Sequence, residues 1–269
     1  MNGLYPEILG DKFHAWLTCY VPDGIESVNR KKHAVLVCPG GGYNIVSNRE
    51  GEPVALRYAA AGFNAYVLDY STKDRYADAY FPTQLLQGFA AVDYIRNNAG
   101  EHDTDKLAVC GFSAGGHLAA SLGTLYDSGI VKEKFKTPGN LRVDAMILCY
   151  TVLTADKKYC HAGSVKNLLG DNGAKYLKYL SLEKNVNKNT PRTFLMHSAD
   201  DGTVPVENSL LFADALAENK VPFELHIFEK GVHGIALGDK ITASARNGSH
   251  INPDMAKWVG LSISFLEKM

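Results

Sequence analysis

One serine of this chain lies in a pattern that is typical of a nucleophile. Gly111–Gly115 (GFSAG) follows the apolar run KLAVC and precedes a helix-like stretch. A nucleophilic serine needs its hydroxyl on a sharp strand-to-helix turn, and glycines two residues before and after it relieve the crowding there. Amides at the start of the following helix, that of Ala114 first, would face an oxyanion forming beside the serine. We therefore predict that Ser113 is the nucleophile of an acyl transfer, in preference to a capping serine in a glycine-rich turn.

A run of three glycines follows the apolar run HAVLVC, within Pro39–Tyr43 (PGGGY). Successive glycines let the backbone approach a ligand closely and present several N–H groups to it. A phosphate-binding loop is the alternative, but neither G-x-G-x-x-G nor G-K-[ST] is present. We predict that Gly41 and Gly42 supply the other half of an oxyanion hole, together with Ala114.

Two adjacent aspartates compete for the role of the acid that orients a catalytic base. Asp200 and Asp201 both follow the apolar run TFLMH. An acid at a strand end can hold an imidazole in the required tautomer. We assign this role to Asp201, which stands three residues before Val204-Pro205, and interpret Asp200 as a turn cap.

His233 is the predicted base among nine histidines. It lies in a glycine-flanked loop, GVHG, after the run FELHIF, and the order Ser, Asp, His is that of α/β-hydrolases. Five of the other histidines have simpler interpretations. His117 is expected to pack on the helix after the serine, His197 and His226 to lie in the core or at a sheet edge, and His161 and His250 to lie at the surface or a pocket rim.

The elements that must position these residues alternate between apolar runs and amphipathic stretches. Such alternation demands right-handed crossovers and a mostly parallel sheet with helices on both faces, the α/β class. The predicted strands are His14–Val21, His33–Cys38, Asn64–Tyr70, Lys106–Phe112, Asp144–Tyr150, Thr193–His197 and Phe223–Phe228. The predicted helices are Gly51–Ala61, Pro82–Asn97, Ala114 to about Tyr126, Glu207–Asn219 and Met255–Glu267.

The segment from Tyr150 to Thr190 breaks this alternation. It is polar, rich in lysine and asparagine, and long for a connection within a compact domain. Segments of this kind are usually functional, so we predict a small lid-like excursion over the site.

Composition excludes several classes of protein. The 269 residues suit one α/β domain, and a formal net charge of −1 offers no field for nucleic acid or an anionic membrane. The N-terminus lacks a signal-peptide pattern, and no apolar run is long enough to span a bilayer. The five cysteines are odd in number and widely spaced, so we expect buried, reduced thiols and a cytoplasmic location. No metal or other cofactor is expected, and a homodimer is an open expectation.

Several stretches together resemble a known family: PGGGY, NREGEPVALRYAAAGFNAYVLDY, GFSAGGHLAASLG, HSADDGTVPVENS and GVHG. They look like the bacterial acetyl-esterase and acetyl-xylan-esterase-like branch of the α/β-hydrolases, whose members are often labelled esterase/lipase or sugar hydrolase. The likeness runs from about Lys12 to Leu266 and includes the D-x-x-V-P register of Asp201. It implies the α/β-hydrolase fold and hydrolysis of short acyl esters, acetyl groups on a sugar or oligosaccharide among them. Pro39 departs from the His of many relatives, and Thr151 from their Y-P-V sequence.

The expected mechanism needs no cofactor: Ser113 attacks the ester, His233 takes its proton, and Asp201 steadies the imidazolium. Arg49, Glu50 and Glu52 follow the glycine loop near the mouth of the site and could hydrogen-bond sugar hydroxyls, and Tyr43 and Tyr70 are candidate pocket walls. Of these, Tyr43, Arg49 and Glu52 are the predicted substrate-binding residues. For the three charged residues, solvent exposure at the start of a helix is an equal alternative. For the two tyrosines, the alternative is ordinary packing in the core. Two other functions stay open, namely a catalytically silent ligand-binding protein of the same fold and a peptidase or thioesterase with the same triad.

Overall fold

A central sheet carries the residues that the sequence singles out. The computed structural model describes residues 1–22, 32–136, 141–244 and 248–269. In these ranges seven strands form one sheet in the order β1-β3-β2-β4-β5-β6-β7. The strands are β1 (Trp16–Tyr20), β2 (Lys32–Cys38), β3 (Asn64–Asp69), β4 (Thr104–Phe112), β5 (Ala145–Cys149), β6 (Arg192–Ser198) and β7 (Phe223–Phe228).

All neighbouring strands of this sheet run parallel except β1, which pairs with β3 in the antiparallel sense. The prediction of a mostly parallel sheet is therefore confirmed. The inner strands are apolar over most of their length, because helices cover both faces and leave no wet side. Since parallel strands end at the same edge, the loops after β2, β4, β6 and β7 meet there.

Helices pack on both faces of the sheet. They are α1 (Pro6–Leu9), α2 (Glu52–Ala60), α3 (Thr83–Asn97), α4 (Ser113–Thr124), α5 (Gly129–Lys134), α6 (Ala162–Leu169), α7 (Glu207–Glu218) and α8 (Trp258–Leu266). One apolar layer includes Phe89 of α3, Leu118 of α4 and Phe212 of α7. The other includes Tyr58 of α2 and Trp258 of α8. Every residue of α4 is buried, because small residues let this helix lie directly on the sheet.

Some predicted boundaries are wrong. The first strand is shorter than His14–Val21, and α4 begins at Ser113 itself. The predicted closing helix is a 3₁₀ turn, Met255–Lys257, followed by α8, and α5 was not expected. These errors fall where local pattern is weakest, at element ends and in short helices.

The segment after Tyr150 contains α6 and the 3₁₀ stretches Gly170–Tyr179 and Leu182–Asn185. Three leucines of this segment, Leu168, Leu180 and Leu182, are buried in the layer that contains α3 and α4. The segment is therefore packed against the body of the fold, and its action as a lid stays a prediction.

The five cysteines are unpaired thiols. Cys38 and Cys149 are buried at the ends of β2 and β5 and Cys110 within β4, as expected, whereas Cys19 is exposed and Cys160 half-buried. None of the helices in the described ranges combines the length and the apolar character needed to cross a membrane.

Candidate active site

Ser113 lies at the junction of β4 and α4, on a turn that only small neighbours permit. Its φ of 51° is in the left-handed region, which non-glycine residues seldom adopt. A Cβ on Gly111 would lie 2.4 Å from the carbonyl oxygen of Gly115, and one on Gly115 would lie 2.1 Å from that of Pro39. Both glycines are therefore required for the chain to make this turn.

Three side chains from three loops form a continuous hydrogen-bonded series. Nε2 of His233 lies 2.9 Å from Oγ of Ser113, and Nδ1 of His233 lies 2.7 Å from Oδ2 of Asp201. Asp201 follows β6 and His233 follows β7, so the parallel sheet brings together residues that are 120 positions apart in sequence. A hydroxyl, an imidazole and a carboxylate in this order can pass a proton away from the hydroxyl as it attacks a carbonyl carbon.

The surroundings of Asp201 keep its carboxylate ionised. Burial alone would raise its pKa, but hydrogen bonds from His197 and His233, the charge of His233 and the amide of Val204 hold the pKa of Asp201 well below its usual range. Oδ1 accepts from the amides of Thr203 at 2.8 Å and Val204 at 2.9 Å. The carboxylate is thus fixed in place, with Oδ2 turned to the imidazole.

Asp200 points elsewhere. Its Oδ1 accepts a hydrogen bond of 2.7 Å from the amide of Gly231, and the residue is exposed. It therefore braces the loop that carries His233 without contacting the imidazole.

The glycine loop after β2 passes over the serine turn. A Cβ on Gly40 would lie 2.7 Å from the carbonyl oxygen of Phe112 and 3.1 Å from Cβ of Ser113. Gly41 and Gly42 have φ values of 121° and 64°, so only glycine suits both positions. Within the described ranges, no group accepts a hydrogen bond from the amide of either residue. Two free N–H donors thus lie in a loop that contacts the serine turn.

Tyr43 is buried, and its contact with a substrate stays a prediction. Its hydroxyl lies 2.9 Å from Nδ1 of His117, whose Nε2 lies 3.3 Å from the carbonyl oxygen of Leu180. Because Nε2 donates to that carbonyl, Nδ1 accepts from Tyr43, and burial lowers the pKa of His117 to about 4. Tyr43 and His117 border a small hollow of about 10 Å³, together with Val152, Thr154, Ser164, Val165, Leu168 and Leu180.

Arg49 and Glu52 have protein partners. Arg49 donates to the carbonyl oxygens of Gly234 and Thr242, both at 2.8 Å, and so fastens the chain beyond His233. Glu52 is exposed at the start of α2 and accepts a hydrogen bond of 3.1 Å from the hydroxyl of Tyr20. Contact of either residue with a substrate stays a prediction.

The remaining histidines differ in their surroundings. His197 is fully buried, contacts Ser209 and the carbonyl of Val204, and has Nε2 3.4 Å from Oδ2 of Asp201. His161 caps α6, and burial together with the charge of nearby His233 lowers its pKa. An open groove of about 680 Å³ runs beside His233, bordered by Asp200, Thr203, Lys230, Val232, His250 and Asn252 among others.

Sequence reasoning missed Tyr150 and misjudged Glu50. Tyr150 directly follows β5 with a φ of 39°, and its ring meets that of His233 edge-on, with the ring centroids 5.1 Å apart. Glu50 was expected near the mouth but is only 3% exposed. The positive φ of Tyr150 and the burial of Glu50 have no local signal in the sequence, because both are set by loops that are distant along the chain.

In the described residues, no group of three or more His, Cys, Asp or Glu side chains is arranged to hold a metal ion.

Comparison with known proteins agrees with this geometry. Residues 18–216 match the BD-FAE family. The chain is 41% identical over 214 residues to endo-1,4-beta-xylanase B of Butyrivibrio fibrisolvens, covering 78% of this chain and 33% of that protein. It is 28% identical to an acetylxylan esterase of Xylanibacter ruminicola, covering 86% of this chain and 45% of that protein. The chain thus spans a third to a half of the length of these two relatives.

Among solved structures, the acetyl ester-xyloside bifunctional hydrolase of Caldicellulosiruptor lactoaceticus superposes with a TM-score of 0.81 at 36% identity, covering 96% of this chain and 89% of that one. The strand order and these matches confirm the α/β-hydrolase fold and the likeness to the acetyl-esterase branch.

Proposed function

Because the chain belongs to the BD-FAE family, we propose that it is a serine carboxylesterase that hydrolyses short acyl esters, acetyl esters above all, on sugars or oligosaccharides. The observation that carries this proposal is the hydrogen-bonded series from Ser113 through His233 to Asp201, at 2.9 and 2.7 Å. Those distances suit a nucleophile, a general base and an orienting acid.

In the proposed reaction, Oγ of Ser113 attacks the ester carbonyl carbon while Nε2 of His233 takes the hydroxyl proton. The amides of Ala114, Gly41 and Gly42 stabilise the resulting oxyanion. As the tetrahedral intermediate collapses, His233 gives its proton to the departing alcohol, and the acyl group remains on Ser113. Water then attacks the acyl-enzyme by the same route, with His233 again as base, and releases the carboxylic acid. The low pKa of Asp201 supports this assignment, because the acid must stay ionised while the imidazole is charged.

Two cavities support the choice of substrate. The hollow of about 10 Å³ beyond the glycine loop has room for about one water-sized group, which suits an acetyl methyl and little more. The open groove of about 680 Å³ runs beside His233, the residue that protonates the leaving alcohol, and it can accept a larger alcohol such as a sugar. The name of the acetylxylan esterase relative supports acetylated xylo-oligosaccharides as the first substrates to test.

Turnover of p-nitrophenyl acetate tests the proposal, followed by release of acetate from acetylated xylo-oligosaccharides. A fluorophosphonate should label the protein once, and Ser113→Ala should abolish both labelling and turnover. Ser121→Ala, on the same helix, is the matched control and should keep both. A folded wild-type protein that neither turns over the ester nor is labelled would favour the ligand-binding alternative. Faster turnover of a thioester or a peptide anilide would favour the other two enzyme classes.

A cytoplasmic location and a homodimer also belong to this proposal. Three buried, unpaired strand thiols support a reducing compartment. Fractionation of the source cells and light scattering on the purified protein test the two statements.

A further inference from the structure

Glu50 is a buried carboxylate that the proposed reaction does not use. It ends the 3₁₀ turn Asn48–Glu50 and is only 3% exposed. In the described ranges, no Lys, Arg or His side chain lies within ion-pair distance of it. Burying a carboxylate without a charged partner is costly, so its place in the site calls for a reason.

The two oxygens of Glu50 hold two different parts of the site. Oε2 accepts a hydrogen bond of 2.8 Å from the amide of Gly40, which directly precedes Gly41 and Gly42. Oε1 accepts one of 2.7 Å from the hydroxyl of Tyr150. That hydroxyl in turn accepts from the amide of Ala236, at 3.0 Å, three residues beyond His233. One carboxylate therefore joins the glycine loop to the loop of the base.

The hydrogen-bond pattern requires two acceptor oxygens at this position. The amide of Gly40 can only donate. The oxygen of Tyr150 already accepts from Ala236, so its proton points to Glu50. Both neighbours of Glu50 are thus donors, and only a side chain with two acceptor oxygens satisfies both. A glutamine would turn its NH₂ group towards one of the two donors.

Tyr150 carries this constraint to the base itself. Its ring lies edge-on to the imidazole of His233 with the centroids 5.1 Å apart. Its φ of 39° is strained for a non-glycine residue, and the bonds at its hydroxyl oppose relaxation of that strain. A shift of the hydroxyl would therefore move the wall against which His233 packs.

We propose that Glu50 is a positioning residue, which acts through Gly40 and Tyr150 to hold the oxyanion-binding amides and His233 in register with Ser113. This inference rests on the proposed function. It assigns Glu50 no contact with the substrate. Its loss should therefore impair stabilisation of the transition state while leaving binding of the ground state nearly unchanged.

The test compares Glu50→Gln with the wild type, with kcat expressed per active site titrated by a fluorophosphonate. We expect kcat to fall roughly 10- to 100-fold, which is no more than the fall caused by removing one oxyanion-hole donor, with KM nearly constant. A trifluoromethyl ketone gives a second readout, since Ser113 adds to its carbonyl and forms an oxyanion in the same hole. Its inhibition constant should rise by the same factor as kcat/KM falls.

Two tyrosine variants separate positioning from stability. Tyr150→Phe keeps the bond from Gly40 to Glu50 but breaks the link to Ala236, so kcat should fall about tenfold. If Glu50→Gln does not fold, Tyr150→Phe is compared with the wild type by the same measurements. Tyr58→Phe removes another buried phenol, whose hydroxyl contacts Oγ of Ser262 at 2.9 Å and Sγ of Cys110 at 3.9 Å and, in the described ranges, hydrogen-bonds no side chain of the proposed triad. It should lower stability and leave kcat per titrated site unchanged.

A kcat per titrated site in Glu50→Gln and Tyr150→Phe equal to that of the wild type would overturn the inference, even if both proteins are less stable. So would a ketone that binds all variants equally. If the wild type hydrolyses no ester, the proposed function fails instead. The role of Glu50 is then tested by comparing the rate at which the fluorophosphonate labels Ser113 in the wild type and in the variants, because this rate depends on the same base and amides.

Discussion

Replacing Asp201 with asparagine is the sharpest test of the assigned acid, because the structure dictates how the new side chain must lie. Oδ1 of Asp201 accepts from two amides, those of Thr203 and Val204, and Oδ2 accepts from Nδ1 of His233. An asparagine oxygen would keep the two amide bonds, so its NH₂ group would face Nδ1. That nitrogen would then have to be unprotonated, and the proton on Nε2 would point at Ser113. The base could no longer accept the proton of the serine.

The size of the effect follows from this tautomer. The same change in a serine protease triad lowers kcat about 10⁴-fold, which corresponds to about 5 kcal/mol of transition-state stabilisation. We expect a loss of this order in Asp201→Asn. KM should change little, since the substrate contacts neither oxygen of Asp201 in the proposed reaction.

Asp200→Asn is the matched control on the same turn. Asp200 is exposed and accepts a hydrogen bond of 2.7 Å from the amide of Gly231, which an asparagine oxygen can also accept. Its loss of stability should be at most about 1 kcal/mol, with kcat almost unchanged.

The assay is hydrolysis of p-nitrophenyl acetate by both variants at one neutral pH, with active sites titrated and folding checked by circular dichroism. An inactive Asp200→Asn beside an active Asp201→Asn would exchange the two roles. Full activity in both variants would show that the imidazole needs no orienting acid, and the reasoning from the tautomer would be refuted.

The pKa of His117 is lowered from its ordinary value of 6.5 to about 4, so the unfolded chain binds a proton between those pH values that the folded chain does not. The free energy of unfolding should therefore fall by about 3 kcal/mol as pH drops from 6.5 to 4, and urea titrations of His117→Gln should lack this slope. The depressed pKa of Asp201 adds to the free energy of unfolding, and this contribution is fully present above about pH 4 and is lost below it. The difference in melting temperature between the wild type and Asp201→Asn should therefore narrow only below about pH 4. Across p-nitrophenyl esters, kcat/KM should fall from acetate or butyrate towards octanoate, and a maximum at long chains in the wild type would contradict the esterase proposal. Leu180→Ala enlarges the hollow and should raise the ratio of kcat/KM for butyrate to that for acetate roughly tenfold relative to the wild type.

Much of the fold was predictable because its signals are local. An apolar run such as KLAVC suits a strand buried on both faces, and the alternation with helices leaves few topologies for the sheet. The serine turn was equally local, since Gly111 and Gly115 are needed wherever a chain turns this sharply. The ends of elements were less predictable, as at β1, where no residue of the strand is fully buried and the apolar pattern is weak.

The roles of polar side chains were predictable only where sequence order restricts them. Asp201 was preferred over Asp200 from its spacing to Val204, and the structure turns only Asp201 towards His233. Arg49 and Glu50 were placed together near the mouth. In the structure Arg49 binds carbonyls of the chain beyond His233, and Glu50 is buried beneath the glycine loop.

Short stretches of the chain were enough to predict the α/β class, the turn that carries Ser113 and the glycines that follow β2, because each depends on the conformation that a few consecutive residues can adopt. The order of nucleophile, acid and base could be predicted from their positions along the chain. The contacts between polar groups could not: Glu50 meets Gly40 and Tyr150, and Tyr43 meets His117, only in the folded protein. Hydrogen bonds depend on distances of a few tenths of an ångström between loops far apart in sequence. Those distances are set by the packing of the whole sheet and its helices, which no short stretch of residues encodes.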